Sequence, residues 1–285
     1  MKNLHKYIII SLFAFIVSAS FAQNEAHLNV MTFNIRYDNP EDGEHNWKHR
    51  KEAAAELILS VDADLIGTQE VLKNQLGDLL ALLPDYLHIG VGREDGIDEG
   101  EFSAILFKKT RFEIIESGTF WLSETPDVIG SVGWDASMER IASWAILLDK
   151  QTNKQLKFVN THYDHRGKKA RAESSKLLLD KIAEKSNNLP VILTGDFNST
   201  PESEPVQIIH ESKILFDAAI LSSKKTGPEW TFHGFGKTPE KRRRRIDYVF
   251  FNASFEVAKY NNIFEKVGYT FHSDHNPIHV QLTYK

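Results

Sequence analysis

Short runs rich in β-branched and aromatic residues recur between residues 28 and 284. Many of them alternate apolar and polar positions, as Leu156–His162 does, and a period of two is typical of a half-buried strand. The pattern predicts strands at Leu28–Asn34, Asp64–Glu70, Tyr86–Val91, Ser103–Phe107, Phe112–Leu122, Ala142–Asp149, Leu156–His162, Val191–Gly195, Ile246–Asn252, Phe255–Tyr260 and Ile278–Tyr284.

Fewer segments show apolar residues at helical spacing. They predict helices at His49–Ser60, Leu72–Leu83, Lys168–Lys185 and Ser203–Ser212, with Pro84 ending the second. Many strands and few helices predict an α/β (α+β) fold, in which two sheets pack face to face with the helices outside.

The beginning of the chain has the features of a secretory signal peptide. A lysine-containing start precedes the apolar run Tyr7–Val17, and Ser20–Ala22 forms a small-x-small cleavage site. The alternative is a membrane anchor, but this run is shorter than the ~20 residues that a spanning helix needs. We predict a signal peptide at 1–22, one domain at 23–285, no stable membrane insertion, and a secreted or periplasmic location.

Charge and cysteine usage narrow the function. The 285-residue chain has a net charge of −5, and removing the signal peptide with its two lysines lowers it to −7. An acidic body does not attract polyanions over long distances, although a nuclease needs only a local positive groove. The chain has no cysteine, which excludes disulfides, zinc–thiolate sites and thiol nucleophiles.

Two acidic, glycine-containing loops lie at Asp38–Glu44 and Glu94–Glu101. A calcium-binding loop is one interpretation, but neither segment has the EF-hand ligand spacing. Solvated turns are the favoured interpretation.

Acids, amides and imidazoles cluster at the ends of the predicted strands. Strands run side by side about 4.8 Å apart, so polar groups at their ends can converge on one rim of a sheet. Each residue alone has an ordinary explanation as a turn or capping group, but together they favour a site. The residues are Asn34, Glu70, His162, Asp196, Asn198, Asp247, Asp274 and His275.

Carboxylate and amide oxygens favour Mg²⁺, Mn²⁺ or Ca²⁺ over zinc. Mg²⁺ commonly uses one or two carboxylates together with water and a substrate phosphate. An imidazole oriented by a carboxylate can hold a phosphate or move a proton, and Asp247 with His275 is the natural pair for this role. The set therefore predicts metal-assisted chemistry on a phosphate ester.

These motifs, taken together and in this order, resemble the endonuclease/exonuclease/phosphatase superfamily, and most closely its exported bacterial and deadenylase-like members. The likeness covers nearly all of residues 28–284. It rests on Thr32–Arg36, Thr68–Val71, Asn160–Gly167, Gly195–Asn198, Arg245–Val249 and Ser273–His275.

The resemblance implies a four-layer α/β/β/α sandwich of two mixed, mainly antiparallel sheets, dependence on Mg²⁺ or Mn²⁺, and in-line attack of water on phosphorus. It implies that Glu70 binds the metal directly and that Asn34 and Asp274 lie at or next to it. It also implies five catalytic residues: Asp196 to orient or activate water, Asn198 to contact the phosphate, His275 with Asp247 to contact the phosphate, and His162 as a second catalytic histidine.

The substrate is less well specified. The run Lys241–Arg245 is either a phosphate clamp or a solvated loop, and the sequence favours neither. Trp230–Gly234 could stack on a base or sugar, although packing is favoured because Trp and Phe are usually core residues. The predicted substrate-binding residues are Arg36, Tyr163, Arg171, Trp230, His233 and Arg245.

The expected function is an exported, metal-dependent, monomeric phosphoesterase. Its substrate would be a nucleic acid, a nucleotide, or a sugar or inositol phosphate, with nuclease and small-molecule phosphatase both open and phospholipid cleavage ranked last. The alternative from another class is a non-catalytic binding module on the same fold.

Overall fold

The computed structural model describes residues 27–186 and 188–285. The predicted signal peptide lies outside these residues. Within them, no helix combines the length and apolar character needed to cross a membrane.

One sheet has seven strands in the order β10-β12-β15-β1-β2-β4-β3. Its central strand β1 pairs in parallel with β2 and antiparallel with β15, so the sheet is mixed. The strands are β1 Leu28–Asn34, β2 Leu65–Gln69, β3 Tyr86–Ile89, β4 Ile105–Lys108, β10 Lys225–Thr226, β12 Phe255–Asn262 and β15 Ile278–Tyr284.

The second sheet has six strands in the order β5-β6-β7-β8-β11-β9. The pair β7 and β8 is parallel, and the pairs β5–β6, β6–β7, β8–β11 and β9–β11 are antiparallel. The strands are β5 Phe112–Trp121, β6 Ile141–Asp149, β7 Lys154–His162, β8 Val191–Asp196, β9 Phe216–Asp217 and β11 Asp247–Phe251. A separate hairpin consists of β13 Lys266–Val267 and β14 Thr270–Phe271.

Helices cover the outer faces of both sheets. The α-helices are α1 Lys51–Ser60, α2 Lys73–Leu82, α3 Lys168–Ser186, α4 Glu204–Ser212 and α5 Ala218–Leu221, and 3₁₀ turns lie at Pro40–His45, Trp47–His49 and Glu240–Arg242. Side chains of α1 and α2 pack with Met31 and Phe33 on one outer face. Side chains of α3 and α4 pack with Leu193 and Phe250 on the other. The four-layer arrangement is therefore confirmed.

The alternation along β1 shows how the layers form. Val30 lies in the cluster between the sheets, whereas Met31 and Phe33 lie in the cluster under the helices. Because successive side chains point to opposite faces, Thr32 and Asn34 share the inner face with Val30. The same parity in β8 places Ile192 between the sheets, and Asp196 therefore on that inner face.

The predicted strands and helices exist, with bounds that differ by a few residues. The helix predicted from His49 begins at Lys51, because Trp47–His49 forms a 3₁₀ turn first. Glu70, predicted to end β2, follows that strand with a φ of 60°, so the chain turns sharply there. Strands β9, β10, β13 and β14 were not predicted, because two residues are too short to show a period.

Candidate active site

The layer between the sheets changes from apolar to polar toward one end. Here Asn160 Oδ1 accepts hydrogen bonds from Gln69 Nε2 at 2.7 Å and from Thr194 Oγ1 at 3.0 Å, which ties the two sheets together. Gly67 faces this bridge, and a Cβ atom there would lie 2.0 Å from Thr194 Oγ1. The lack of a side chain at Gly67 therefore lets the sheets approach closely next to the strand ends.

Three neighbouring strands of the second sheet place their polar ends in one row. Asp196 at the end of β8 is in register with His162 on β7 and with Asp247 on β11. All three residues are buried. His162 Nε2 lies 3.5 Å from Asp196 Oδ2. Strand pairing thus brings together residues that are up to 85 positions apart in the chain.

His275 enters this row from the segment before β15. Its Nδ1 lies 2.9 Å from Asp247 Oδ2, and its Nε2 lies 3.7 Å from Asp196 Oδ2. Thr231 also donates its hydroxyl proton to Asp247 Oδ2, in a short contact. The imidazole is therefore held between two carboxylates, with its Nδ1 side fixed by the one that Thr231 orients.

Asn34 at the end of β1 connects the two sheets across the site. Its Nδ2 donates to Glu70 Oε1 and to Asp196 Oδ2, both at 3.0 Å, and lies 3.5 Å from His275 Nε2. The backbone N–H of Tyr37 donates to Glu70 Oε2 at 3.2 Å, which helps to fix the carboxylate. Glu70, Asp196 and His275 thus gather around one amide, as the sequence predicted.

Asn198 and Glu101 complete the side of the site next to His162. The Asn198 backbone N–H donates to Asp196 Oδ1 at 2.9 Å, and its Nδ2 lies 3.1 Å from His162 Nε2. On the other side of the ring, Glu101 Oε2 lies 3.7 Å from His162 Nδ1. The second imidazole therefore also contacts acids on both sides.

Burial and neighbouring charges shift the pKa values of these groups. Burial and the nearby Asp247 carboxylate raise the pKa of Asp196 to about 7. Burial disfavours charged His275, but the carboxylates of Asp247 and Asp196 outweigh it and raise the His275 pKa. Burial and the cations Arg140 and Arg93 lower the pKa of His162 well below its usual value. At neutral pH the site therefore contains one protonated and one neutral imidazole.

Two groupings of side chains could hold a metal ion. Ligand atoms of Asp196, Asp247 and His275 lie within 4.8 Å of one another. The carboxylates of Asp247 and Asp196 raise the His275 pKa and so favour the protonated imidazole, which is not a metal ligand. The carboxylates of Glu70, Asp196 and the buried Asp274 form the second grouping and offer hard oxygen ligands, whereas Asn34 turns its Nδ2 toward Glu70 and Asp196 and its Oδ1 accepts from the Arg36 backbone N–H.

Several residues around the site were not predicted. Arg50 is fully buried and donates to the carbonyl oxygens of Ile35 at 2.8 Å and His272 at 2.7 Å, which joins the segments that carry Asn34 and Asp274. Arg93, Arg140 and Thr231 had no sequence signal, because nothing in the local pattern shows where a loop side chain points.

The interpretation of both acidic loops as solvated turns is wrong in part. Asp42 in the first loop accepts from Arg36 Nε at 3.0 Å. Glu101 in the second loop lies beside His162. The backbone pairing of Val71 with Phe102 explains the second case, because it holds Glu101 close to Glu70.

Among the predicted substrate-binding residues, Arg36 lies at the site, with its Nη1 3.7 Å from Glu70 Oε2. Trp230 is half-buried and lines a cavity of about 700 Å³ together with Arg243 and Arg244. Arg243 lies over the Trp230 ring at 4.3 Å. Trp230 thus bounds a surface recess on the basic-loop side.

The side chains of the remaining four are held by contacts within the protein. Tyr163 is fully buried and its hydroxyl contacts Ser175, and His233 is buried with Nδ1 accepting from the Gly236 backbone. Arg171 donates to the Asp164 carbonyl oxygen, and Arg245 pairs with Asp217 at 2.7 Å. The rim assignment is therefore wrong for the buried Tyr163 and His233, whereas Arg245 lines the same recess as Trp230. For the Trp230–Gly234 segment, packing is confirmed at Thr231 and His233.

The basic run Lys241–Arg245 is largely occupied by contacts within the protein. Arg243 donates to the Thr238 carbonyl oxygen at 3.0 Å, and Arg244 donates to the Lys241 carbonyl oxygen at 2.9 Å. Arg245 pairs with Asp217. The three arginines 243–245 are therefore held by contacts within the protein, while Lys241, Arg242 and Arg244 remain exposed.

A model of the endonuclease/exonuclease/phosphatase family matches residues 31–275. The chain belongs to this family. Among solved structures, it is 41% identical to an endonuclease/exonuclease/phosphatase from Bacteroides vulgatus, with a TM-score of 0.89 over 91% of this chain and 100% of that one. It is 38% identical to a mannosyl-6-phosphatase from Bacteroides thetaiotaomicron, with a TM-score of 0.85 over 90% and 100% of the chains.

Curated relatives are more distant. The chain is 25% identical over 177 residues to the carbon catabolite repressor protein 4 homolog 3 of Arabidopsis thaliana, which covers 59% of this chain. The match spans 36% of that protein, and 28% and 47% of two further curated relatives. The family is one of phosphoesterases, and the likeness to the two Bacteroides structures extends over their full length.

Proposed function

We propose that this protein is an exported, divalent-metal-dependent phosphatase that hydrolyses a phosphate monoester of a small polar alcohol. The convergence of Glu70, Asn34, Asp196 and His275 at the ends of both sheets carries the proposal. Water attacks phosphorus in line, without a covalent enzyme intermediate.

The oxygen ligands around Asn34 fit a Mg²⁺ or Mn²⁺ ion. Burial raises the pKa of Asp196 and of Asp274 and outweighs the nearby cations, so further positive charge would favour their ionised carboxylates. A divalent cation would supply that charge, and Glu70 and Asp274 would hold it beside Asn34. When bound, such an ion polarises a phosphoryl oxygen and stabilises the leaving oxygen.

The side chains of the site have distinct roles in this proposal. Protonated His275, oriented by Asp247, donates a hydrogen bond to a phosphoryl oxygen and stabilises developing negative charge. Asp196, which accepts from Asn34 Nδ2 and lies 3.5 Å from His162 Nε2, orients the attacking water and accepts its proton. Neutral His162 and the Asn198 amide contact the phosphate from the His162 side of the site.

A small phosphate monoester suits this chain better than a nucleic acid. The solved relative that is 38% identical over its full length is a mannosyl-6-phosphatase. The whole chain has a net charge of −5, and the contacts of the basic run are made mainly within its own loop. A strand of nucleic acid is normally held by a basic stripe.

The test uses the mature protein from Gln23 with Mg²⁺, Mn²⁺ or a chelator. The panel contains hexose phosphates, inositol phosphates, p-nitrophenyl phosphate, a generic diester, RNA and plasmid DNA. We expect metal-dependent release of inorganic phosphate from monoesters. Faster cleavage of the nucleic acids or the diester would contradict the monoester assignment.

Site variants test the assignment of residues. Glu70→Ala and His275→Ala should each lower kcat at least ~10²-fold with unchanged folding, the usual effect of losing one electrostatic or acid–base group. Exposed Glu113→Ala and His88→Ala are matched controls. Activity like that of the wild type in both site variants would falsify the assignment.

Export has its own test. Expression of the full chain in a bacterium should yield a mature protein outside the cytoplasm that begins at Gln23. N-terminal sequencing of the periplasmic and medium fractions measures this. Recovery of only the uncleaved chain in the cytoplasm would contradict it.

A further inference from the structure

A polar wall borders the site beyond His162, and it consists of Arg93, Glu101, Met138 and Arg140. Arg93 Nη1 donates to Glu101 Oε2 at 2.8 Å, and the same carboxylate oxygen lies 3.7 Å from His162 Nδ1. Arg93 Nη2 also contacts Met138 Sδ at 3.3 Å. The wall therefore joins the loop after β3 to the loop before β6, next to a predicted catalytic imidazole.

The hydrogen bonding of this polar wall is incomplete. Among the described residues, no partner is present for the buried atoms Arg93 Nε, Arg140 Nε, Arg140 Nη1 and His162 Nδ1. Buried N–H groups are almost always hydrogen-bonded, so several such atoms in one wall need an explanation. Ordered water or hydroxyl groups of a bound molecule would satisfy them.

The charges of the polar wall are nevertheless balanced. Arg93 pairs with Glu101, and Arg140 Nε lies 3.6 Å from Asp164 Oδ2. Among the described residues, Arg93 Nε and two nitrogen atoms of Arg140 thus lack hydrogen-bond partners. Neither guanidinium is an unpaired cation that could bind a second anion. The Arg93 and Glu101 side chains are 12% and 17% exposed, so both reach the surface of the site.

We propose that Arg93 and Glu101 form the subsite for the leaving alcohol and select a neutral polyhydroxyl group, a sugar, over an alcohol that carries a second phosphate. This inference rests on the proposed function. A sugar hydroxyl both donates and accepts hydrogen bonds, and a guanidinium beside a carboxylate offers both.

A second phosphate is disfavoured at this position for an electrostatic reason. Glu101 lies 3.7 Å from His162, and the backbone pairing of Val71 with Phe102 holds it close to Glu70. An added phosphate would meet these carboxylates while both nearby guanidinium groups are already paired. A polyol adds hydrogen bonds without adding charge.

The experiment compares kcat/KM for hexose 6-phosphates and for p-nitrophenyl phosphate, whose leaving group has no aliphatic hydroxyls. The measured quantity is kcat/KM for the hexose 6-phosphate divided by kcat/KM for p-nitrophenyl phosphate. Arg93→Met should lower this ratio about 10- to 100-fold, as expected for the loss of one or two hydrogen bonds to charged groups. The double variant Arg93→Met/Glu101→Gln, which removes both charges, should lower it by the same amount. Arg93→Lys keeps the positive charge but loses the planar guanidinium with its several N–H donors, and we expect an intermediate ratio. Exposed Arg242→Met is the matched control, with an unchanged ratio.

The variants are first compared with the wild type by thermal unfolding, and Arg93→Lys carries the test if the others do not fold. A ratio within threefold of the wild-type value in the folded variants would overturn the inference. So would a higher kcat/KM for fructose 1,6-bisphosphate than for the monophosphates. If the protein hydrolyses p-nitrophenyl phosphate but not hexose phosphates, the inference alone is overturned. If it shows no metal-dependent hydrolysis of any ester, the proposed function is overturned as well.

Discussion

Replacing Gly67 by alanine tests the close approach of the two sheets beneath the site. A Cβ atom at this position would lie 2.0 Å from Thr194 Oγ1 and 2.3 Å from Asn160 Oδ1, both far inside van der Waals contact. The φ angle at Gly67 is not positive, so the backbone itself would tolerate alanine. The whole effect must therefore come from the neighbouring side chains of the second sheet.

The loss of stability can be worked out from these contacts. Forcing one extra carbon into a packed core costs roughly 1–3 kcal/mol. Moving Asn160 away would also separate its Oδ1 from Gln69 Nε2 and Thr194 Oγ1, and each buried donor left unpaired costs about 1–3 kcal/mol. We expect a loss of at least about 3 kcal/mol, which is large beside the 5–15 kcal/mol that typically separates folded from unfolded proteins.

Urea unfolding measures this loss. With an m-value near 3 kcal/mol/M, the Gly67→Ala midpoint should fall by about 1 M. Gly77→Ala is the matched control: nothing lies within 4 Å of a Cβ atom there, and Gly77 is inside α2. That variant should gain roughly 0.5–1 kcal/mol from helix propensity. Equal midpoints for Gly67→Ala and the wild type would refute the close-approach model.

Two further outcomes follow from buried charged groups. Burial and Lys259 lower the pKa of His279 to about 4, and its unfolded value is about 6.5. The unfolded state therefore binds an extra proton below pH 6.5. The free energy of unfolding should fall by about 3 kcal/mol more between pH 6.5 and 4 in the wild type than in His279→Gln, as measured by urea unfolding across pH; parallel curves would contradict this. Arg50→Lys cannot keep the hydrogen bonds to the carbonyl oxygens of Ile35 and His272, so its free energy of unfolding should be about 2–4 kcal/mol lower than that of the wild type. The variant should also need more Mg²⁺ for half-maximal activity, and an unchanged metal dependence would contradict the link to Asn34.

Runs rich in β-branched and aromatic residues, many of them with alternating apolar and polar positions, predicted the strands that build the site. Leu156–His162 shows the period directly, and its last residue is the imidazole that pairs in register with Asp196. Strand ends are predictable because a period of two is a local property of the backbone. For the same reason, the convergence of Asn34, Glu70, Asp196 and His275 could be expected from their positions at strand ends.

Loop side chains were predicted less well. Glu101 was read as part of a solvated turn, although it lies beside His162. Tyr163 directly follows a strand, but its ring packs against Phe197 at 4.7 Å between centroids. In both cases the next few residues of the chain do not fix the direction of the side chain. Pairing with a distant segment does so, as Phe102 with Val71 does for Glu101.

The amino-acid order alone therefore predicted the sheets and the acids and imidazoles at the strand ends, since these depend on short-range periodicity and on residue type. The family was predicted from the resemblance of the motifs. The folded molecule was needed to show which charges are already neutralised: Arg245 by Asp217, Arg93 by Glu101, and His275 by two carboxylates. Electrostatic pairing depends on distance in space and on burial. Neither can be read from separation along the chain when partners lie up to about 80 residues apart.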